Sequence, residues 1–327
     1  MKVLLTDHPW PDVSVESEIC ERAGYELIAG PTEARPCEEI DAFVAEHRPH
    51  AIMCCWAPVS ARAIEAAADL RIVARLGVGL DNIDIPAATA RGAWVTNVPD
   101  YCVEEVSDHV IAMLLAHWRG IVDFDRRAKR GEWNPASARL IRTRDRTVGV
   151  IGYGRIGRVT ARKLARGFGV RVLVTSPTLL ENFVIGTEVE PGVLVATIEL
   201  MQLEADAVVL HLPLTAATHH MIDDVFIGAC KRKPILVNVS RGGLVDNDAL
   251  IRGLEQGRLS GAALDVVEGE PTPSRAVLGR HDVVVTPHVA FSSDASLEEL
   301  RRRCTEDVVR VLRGDPPRHP CNEPRSR

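Results

Sequence analysis

The chain has 327 residues, 46% of them hydrophobic and 26% charged, with a formal net charge of -6. That length suits about two domains of ~100–200 residues, and that balance suits a globular protein with a buried core. It excludes a nucleic-acid-binding arm and a membrane-binding face, since no long single-sign block occurs and no apolar run approaches the ~20 residues of a membrane span. The one basic run, Arg301-Arg302-Arg303, is flanked by Glu298, Glu299 and Glu306 and reads as a solvated helix face. Cys20, Cys37, Cys54, Cys55, Cys102, Cys230, Cys304 and Cys321 are scattered, with no CxxC and no His/Cys ligand spacing. They predict free thiols, no metal centre and a reducing, cytoplasmic setting.

In chain order, short apolar runs predict strands at Val3–Thr6, Tyr25–Ile28, Ala51–Cys55, Ile72–Leu76 and Trp94–Asn97. The first of these is too short for a leader peptide. Helical patterns at Ser14–Ala23, Cys37–His47 and Ala61–Ala67 separate them. Such alternation predicts a parallel sheet covered on both faces. From Val103 to about Arg130 the spacing of Val106, Val110, Met113, Leu114 and His117 predicts one long amphipathic helix. A second α/β unit opens at Thr147, with strands over Val148–Ile151, Val170–Val174, Ala207–His211, Ile235–Asn238, Gly261–Asp265 and Val283–Thr286. A last helix, Leu297–Leu312, precedes a Pro-rich tail expected to be extended and partly frayed.

Gly152-Tyr-Gly154-Arg155-Ile156-Gly157 is a G-x-G-x-x-G between an apolar strand and a helical run. In that context the first glycine makes a tight turn, the second admits a pyrophosphate to the backbone, and the third lets helix pack on strand. The helix N-terminus then offers N–H groups to the anion. NAD sites usually carry an acidic residue ~20 positions later, at the end of the second strand. Here that strand ends in Thr175-Ser176-Pro177-Thr178, with neither a carboxylate for ribose hydroxyls nor an arginine for a 2′-phosphate. A serine can bond either group, so NAD and NADP both remain open.

Six stretches, in order, resemble the D-2-hydroxyacid dehydrogenase family. They are Arg75-Leu-Gly-Val-Gly-Leu-Asp-Asn-Ile-Asp84, Asn97-Val-Pro with Val103-Glu-Glu-Val-Ser-Asp, and His211-Leu-Pro-Leu-Thr215 with Thr218. The other three are Asn238-Val-Ser-Arg-Gly-Gly-Leu-Val-Asp246, Ala263-Leu-Asp-Val-Val-Glu-Gly-Glu-Pro271 and Thr286-Pro-His288. The resemblance spans roughly residues 50–315. It implies two Rossmann-like α/β domains with doubly wound parallel sheets. A cofactor domain (99–293) would be inserted into a flavodoxin-like substrate domain (1–98 and 294–327). The chain runs only briefly past its last helix, which predicts no regulatory domain like that of many phosphoglycerate dehydrogenases.

Reduction of a 2-oxo acid needs a carboxylate clamp, a polarised carbonyl and a proton donor. Alone, Arg241, Glu270 and His288 each suit an ordinary polar loop; together, each at or just beyond a strand end, they suit a site. By resemblance, Arg241 supplies a planar fork for carboxylate and carbonyl oxygen. His288 is the acid/base, a role suited to a side chain of usual pKa ~6.5, and Glu270 orients its ring. The resemblance assigns Val78 and Gly79 to a backbone nest for the substrate carboxylate, with Arg75 close by. It places Gly152, Gly154, Arg155, Ile156 and Gly157 at the pyrophosphate and Ser176 at the adenosine ribose. His211, Pro213 and Thr218 would lie beside the adenosine half, and Val239 and Asp265 near the nicotinamide. The expected partners are a small carboxylate substrate and a second copy of the chain, with the apolar stripe of the Val103 helix, including Trp118, at a homodimer interface. Neither nucleic acid nor membrane is expected. Two alternatives stay open: oxidation of another small anion (formate, phosphite or a phosphonate) on the same fold, and a nucleotide-sensing corepressor resembling the C-terminal-binding proteins.

Overall fold

The early apolar runs become the strands β1 (Lys2–Leu5), β2 (Glu26–Ala29), β3 (Ala51–Cys54), β4 (Ile72–Arg75) and β5 (Trp94–Thr96) in a computed structural model that describes residues 1–324. They form one sheet in the order β2-β1-β3-β4-β5, parallel throughout. Helices α1 (Ser14–Arg22), α2 (Cys37–His47), α3 (Ala61–Ala66) and α4 (Ile85–Arg91) make the crossovers. Every residue of β3 and β4 is buried, as expected of central strands covered on both faces. These elements belong to one of two compact units, Met1–Tyr101 with the segment from Ser293 onward; the other is Cys102–Ser292.

The second unit opens with α5 (Val103–Trp118) and α6 (Ile121–Lys129). The single long helix expected over this stretch is thus two, because Gly120 adopts a left-handed φ of 62° that ends the first helix and starts the second. The apolar stripe of α5 also departs from expectation. Val110, Met113, Leu114 and Trp118 lie in the core of their own unit, Trp118 only 2% exposed, against helix α7 (Arg155–Phe168) and the sheet. The stripe therefore gives no argument for an interface between copies.

The sheet of this unit starts at β6 (Thr147–Ile151) and continues with β7 (Arg171–Thr175), β8 (Glu188–Glu190), β9 (Val193–Val195), β10 (Ala207–Leu210), β11 (Ile235–Asn238), β12 (Gly261–Leu264) and β13 (Val283–Val285). Its order is β13-β12-β11-β10-β6-β7-β9-β8, with only β8 antiparallel to its neighbour. The parallel strands climb in number outward from β6, through β10 to β13 on one side and through β7 to β9 on the other, which makes the gap between β6 and β10 the switch point where such sheets bind ligands. Helices α8 (Pro177–Asn182), α9 (Ile198–Glu204), α10 (Asp224–Ala229), α11 (Asn247–Glu255) and α12 (Arg275–Leu278) complete the unit. The short β8–β9 hairpin, not among the expected strands, turns at the dipeptide Pro191-Gly192.

The chain then returns to the first unit in α13 (Asp294–Leu312), which opens three residues earlier than its apolar pattern because Ser293 and Ser296 close a reciprocal capping box. It packs on α1, β3 and β4. The tail is not frayed through residue 322. Cys321 donates its N–H to the Val95 carbonyl at 2.8 Å, and Asn322 Oδ1 accepts the Val95 N–H at 2.7 Å. The Asn322 amide donates to Thr89 Oγ1 at 2.9 Å and to the Ala93 carbonyl at 3.0 Å. Residues 325–327 lie outside the described residues. Asn322→Ala leaves the buried Val95 N–H without its acceptor and should lower the unfolding free energy by about 1–3 kcal/mol. Urea unfolding followed by circular dichroism measures this loss.

Candidate active site

Strand β6 ends at Ile151, and Gly152 turns the chain with φ 99°. A Cβ there would collide with the His211 carbonyl across the switch point, so only glycine lets β6 and the end of β10 come this close. Gly154 faces open space, and no side chain caps α7 behind it. The first-turn N–H groups of Arg155, Ile156 and Gly157 thus point out of a helix with no intrahelical partners, the arrangement that receives a pyrophosphate. A dinucleotide fits this cradle on the chain's own geometry.

Around the cradle, Ser176 caps α8 by accepting the Leu179 N–H at 3.2 Å. Thr218 Oγ1 accepts from the Thr215 N–H at 2.8 Å and donates to the Pro213 carbonyl at 2.7 Å, which locks the loop after β10. His211 Nε2 meets Thr160 Oγ1 of α7 at 3.0 Å, and desolvation pushes its pKa down to about 3.

Arg241, Glu270 and His288 follow β11, β12 and β13 respectively. Asn238 ends β11 and folds the Arg241 turn: its amide donates to the Arg241 carbonyl at 2.8 Å, and its Oδ1 accepts the Ser240 N–H at 3.0 Å. Ser240 Oγ donates to the Leu210 carbonyl at 2.7 Å, and the Arg241 guanidinium to the Ser240 carbonyl at 2.7 Å. Val239 packs on the core beneath this turn. Glu270 Oε1 lies 3.0 Å from His288 Nδ1. His288 sits at a left-handed φ of 54°, a conformation uncommon for a non-glycine residue.

Asp265 holds the histidine loop in that shape. Its carboxylate, 1% exposed, accepts from Thr286 Oγ1 at 2.6 Å and from the N–H groups of Val289 and Ala290, each at 2.9 Å. Its own carbonyl accepts the His288 N–H at 2.8 Å. Because Thr286 gives its proton to the carboxylate, its oxygen must accept from His109 Nε2 at 3.0 Å, which fixes the Nε2–H form of that ring. Sequence reasoning missed His109, which lay unremarked within a helix pattern, and it missed the clamping contacts of Asp265 and Asn238. The Asx-turn residue before Ser-Arg was a usable signal for Asn238.

In the first unit, Arg75 ends β4 but turns inward, 5% exposed, its guanidinium 5.5 Å from the Trp56 ring centre and bonded to the Leu76 carbonyl. Its Nε has no hydrogen-bond partner among the described residues. Gly77 adopts φ 154°, and a Cβ on it would press on that guanidinium. Asn97 donates to the Val78 carbonyl at 2.6 Å, so the Val78-Gly79 backbone is held from behind. Asp7, another residue not singled out from sequence, accepts the N–H groups of Cys55, Trp56 and Ala57 at 3.0, 2.6 and 3.1 Å and shapes the adjoining loop.

Residues 111–290 match the family model described as D-isomer specific 2-hydroxyacid dehydrogenase, NAD binding domain. The chain belongs to this family. A glyoxylate reductase from Korarchaeum cryptofilum is 37% identical over 324 residues, covering 96% of each chain. Among solved structures, the TT0316 protein of Thermus thermophilus is 30% identical with a TM-score of 0.88, covering 98% of this chain and all of that one (100%). An acyclic imino acid reductase solved with NADPH and D-Arg is 25% identical with a TM-score of 0.84, covering 98% and 100%. As a family member, this dehydrogenase is an NAD(P)-dependent oxidoreductase moving a hydride between nicotinamide and a small 2-hydroxy or 2-oxo acid. That expectation, and the parallel α/β architecture with a Rossmann-like cofactor domain, are borne out.

The depressed His211 pKa carries a stability consequence. The unfolded chain binds its proton below the usual 6.5, the folded chain only near 3, so the contribution is complete above pH 6.5 and is lost as pH falls towards 3. His211→Gln, which does not titrate, should show a smaller drop in urea midpoint between about pH 7 and about pH 4.5 than the parent.

Proposed function

We propose that the dehydrogenase reduces glyoxylate or a comparably small 2-oxo acid, with His288 as proton donor, Glu270 orienting it and Arg241 clamping the carboxylate and the reacting oxygen. The observation that carries this reading is the 3.0 Å contact of Glu270 with His288 Nδ1. It commits Nδ1 to the carboxylate and leaves proton exchange with substrate to Nε2. The name of the Korarchaeum relative supports glyoxylate as the first acid to try.

The bound nicotinamide supplies the hydride. The chain's share is positioning and charge. Arg241's rigid turn holds a guanidinium whose fork suits a carboxylate. As the carbonyl oxygen gains charge it takes the His288 proton, and in the reverse direction His288 removes the hydroxyl proton. Within the first unit, Val78 and Gly79 bind substrate through backbone N–H groups, with Arg75 behind them as buried positive charge. Arg155, Ile156 and the three glycines hold the pyrophosphate, and Ser176, His211, Pro213 and Thr218 line the adenosine half. Val239 and Asp265 lie by the nicotinamide.

His288→Ala should lower kcat for glyoxylate reduction by about 10²–10⁴-fold while leaving NADPH binding by fluorescence titration unchanged. Arg241→Lys, which keeps charge but loses the fork, should raise KM more than it lowers kcat. Unchanged turnover in His288→Ala would sink the assignment. With no carboxylate after β7, both nicotinamide cofactors are admitted. Ser176→Asp should shift kcat/KM from NADPH towards NADH by about tenfold or more, through repulsion of the 2′-phosphate.

We also propose a cytoplasmic homodimer. In support, Ile121, Trp133 and Leu140 of the second unit are exposed to 59%, 87% and 41%. Trp133→Asp should reduce the sedimenting mass from two chains to one; an unaltered mass would remove that segment from any interface.

A further inference from the structure

His219, His220 and Glu268, none of which the proposed reaction uses, bring three ligand atoms within 4.8 Å of one another. His220 Nε2 lies 2.8 Å from Glu268 Oε1, and His219 Nε2 lies 3.8 Å from the same oxygen. The two imidazoles stack with centroids 3.9 Å apart and planes 24° from parallel. Consecutive side chains point to opposite sides of a strand and diverge on a helix. A left-handed φ of 51° at His220 breaks that rule here and turns both rings to one side. The backbone is pinned in this shape: the His220 N–H donates to the Gly243 carbonyl at 2.8 Å and the His219 N–H to the Thr215 carbonyl at 2.9 Å. From the other side, Asn247 donates to the Glu268 carbonyl at 3.2 Å.

We propose that this trio binds one divalent transition ion of the zinc class. An ion pair with Glu268 accounts for His220 alone. It gives no reason for a second imidazole to converge on the same oxygen, whereas a shared cation does. Two imidazoles and a carboxylate select zinc-like ions over magnesium or calcium. Ligand atoms bound at ~2.0–2.2 Å to one tetrahedral ion stand about 3.3–3.6 Å apart. The 2.8 and 3.8 Å separations bracket that spacing, so the His220–Glu268 pair has to open by about half an ångström and the half-exposed His219 ring to close by a similar amount. An ion there ties the loop that carries Thr218 to the segment that carries Glu270, two residues beyond Glu268.

Equilibrium dialysis of the full chain against Zn²⁺ tests this without cofactor or substrate, so its result is independent of the proposed reaction. The expected result is one ion per chain, with affinity lowered by at least about 10–100-fold in His219→Ala and in Glu268→Gln. His219 is exposed and Glu268 partly exposed, and matching circular dichroism of the metal-free variants controls for folding. Co²⁺ should give a visible spectrum of nitrogen and oxygen ligation without a thiolate charge-transfer band. Failure to retain an ion, equal affinity in His219→Ala, or a thiolate band would each overturn the proposal, the last by assigning the ion to a cysteine.

Discussion

Burying a carboxylate is costly unless donors converge on it. At Asp265 the donors are all drawn from a single loop. The hydroxyl of Thr286 and the backbones of Val289 and Ala290 converge on a side chain that is 1% exposed, and its carbonyl takes the His288 N–H. This loop conformation satisfies the buried carboxylate, and the loop includes His288 at a positive φ that costs energy on its own. The position of the His288 ring therefore rests on the desolvation of Asp265. Anything that rehydrates Asp265 loosens the loop, and His109 on α5 extends that dependence into the helical layer.

The same logic of close approach governs the cofactor side. Gly152 lets the β6 turn touch the carbonyl of His211, and His211 in turn meets Thr160 of α7. Strand, turn, helix and the end of the neighbouring strand are thereby fixed at one point of the sheet. That rigidity suits a site whose chemistry depends on placing two reacting partners in register.

Much of this was legible in the sequence because the decisive signals are local. The glycine turn stands between an apolar strand and a helix in one short stretch, and Arg241, Glu270 and His288 each follow a strand readable by itself. Position in a parallel sheet then follows from strand order. What stayed hidden depends on partners distant in sequence. Asp265 reads as the end of a strand until residues 286–290 fold onto it, and His109 reads as one more helix residue. Trp118 belongs to a stripe that would look the same at an interface or in a core; only the packing against α7 separates the two. The break at Gly120 and the turn at Pro191-Gly192 were different in kind. Their signals were present and were outweighed by the longer periodic pattern in one case and by very short strands in the other.

The segment that closes over β5 bears on behaviour outside the active site. β5 is the last strand of its sheet, and an uncovered edge of backbone N–H and C=O groups is a template for pairing with another molecule. Cys321 and Asn322 occupy both the donor and the acceptor of Val95, and Pro320, which has no N–H to offer a further strand, bridges to Thr96. The tail thus acts as a blunt border to the sheet. Chains that lose it would become sticky before they became inactive, and the damage would show first as aggregation that steepens with protein concentration.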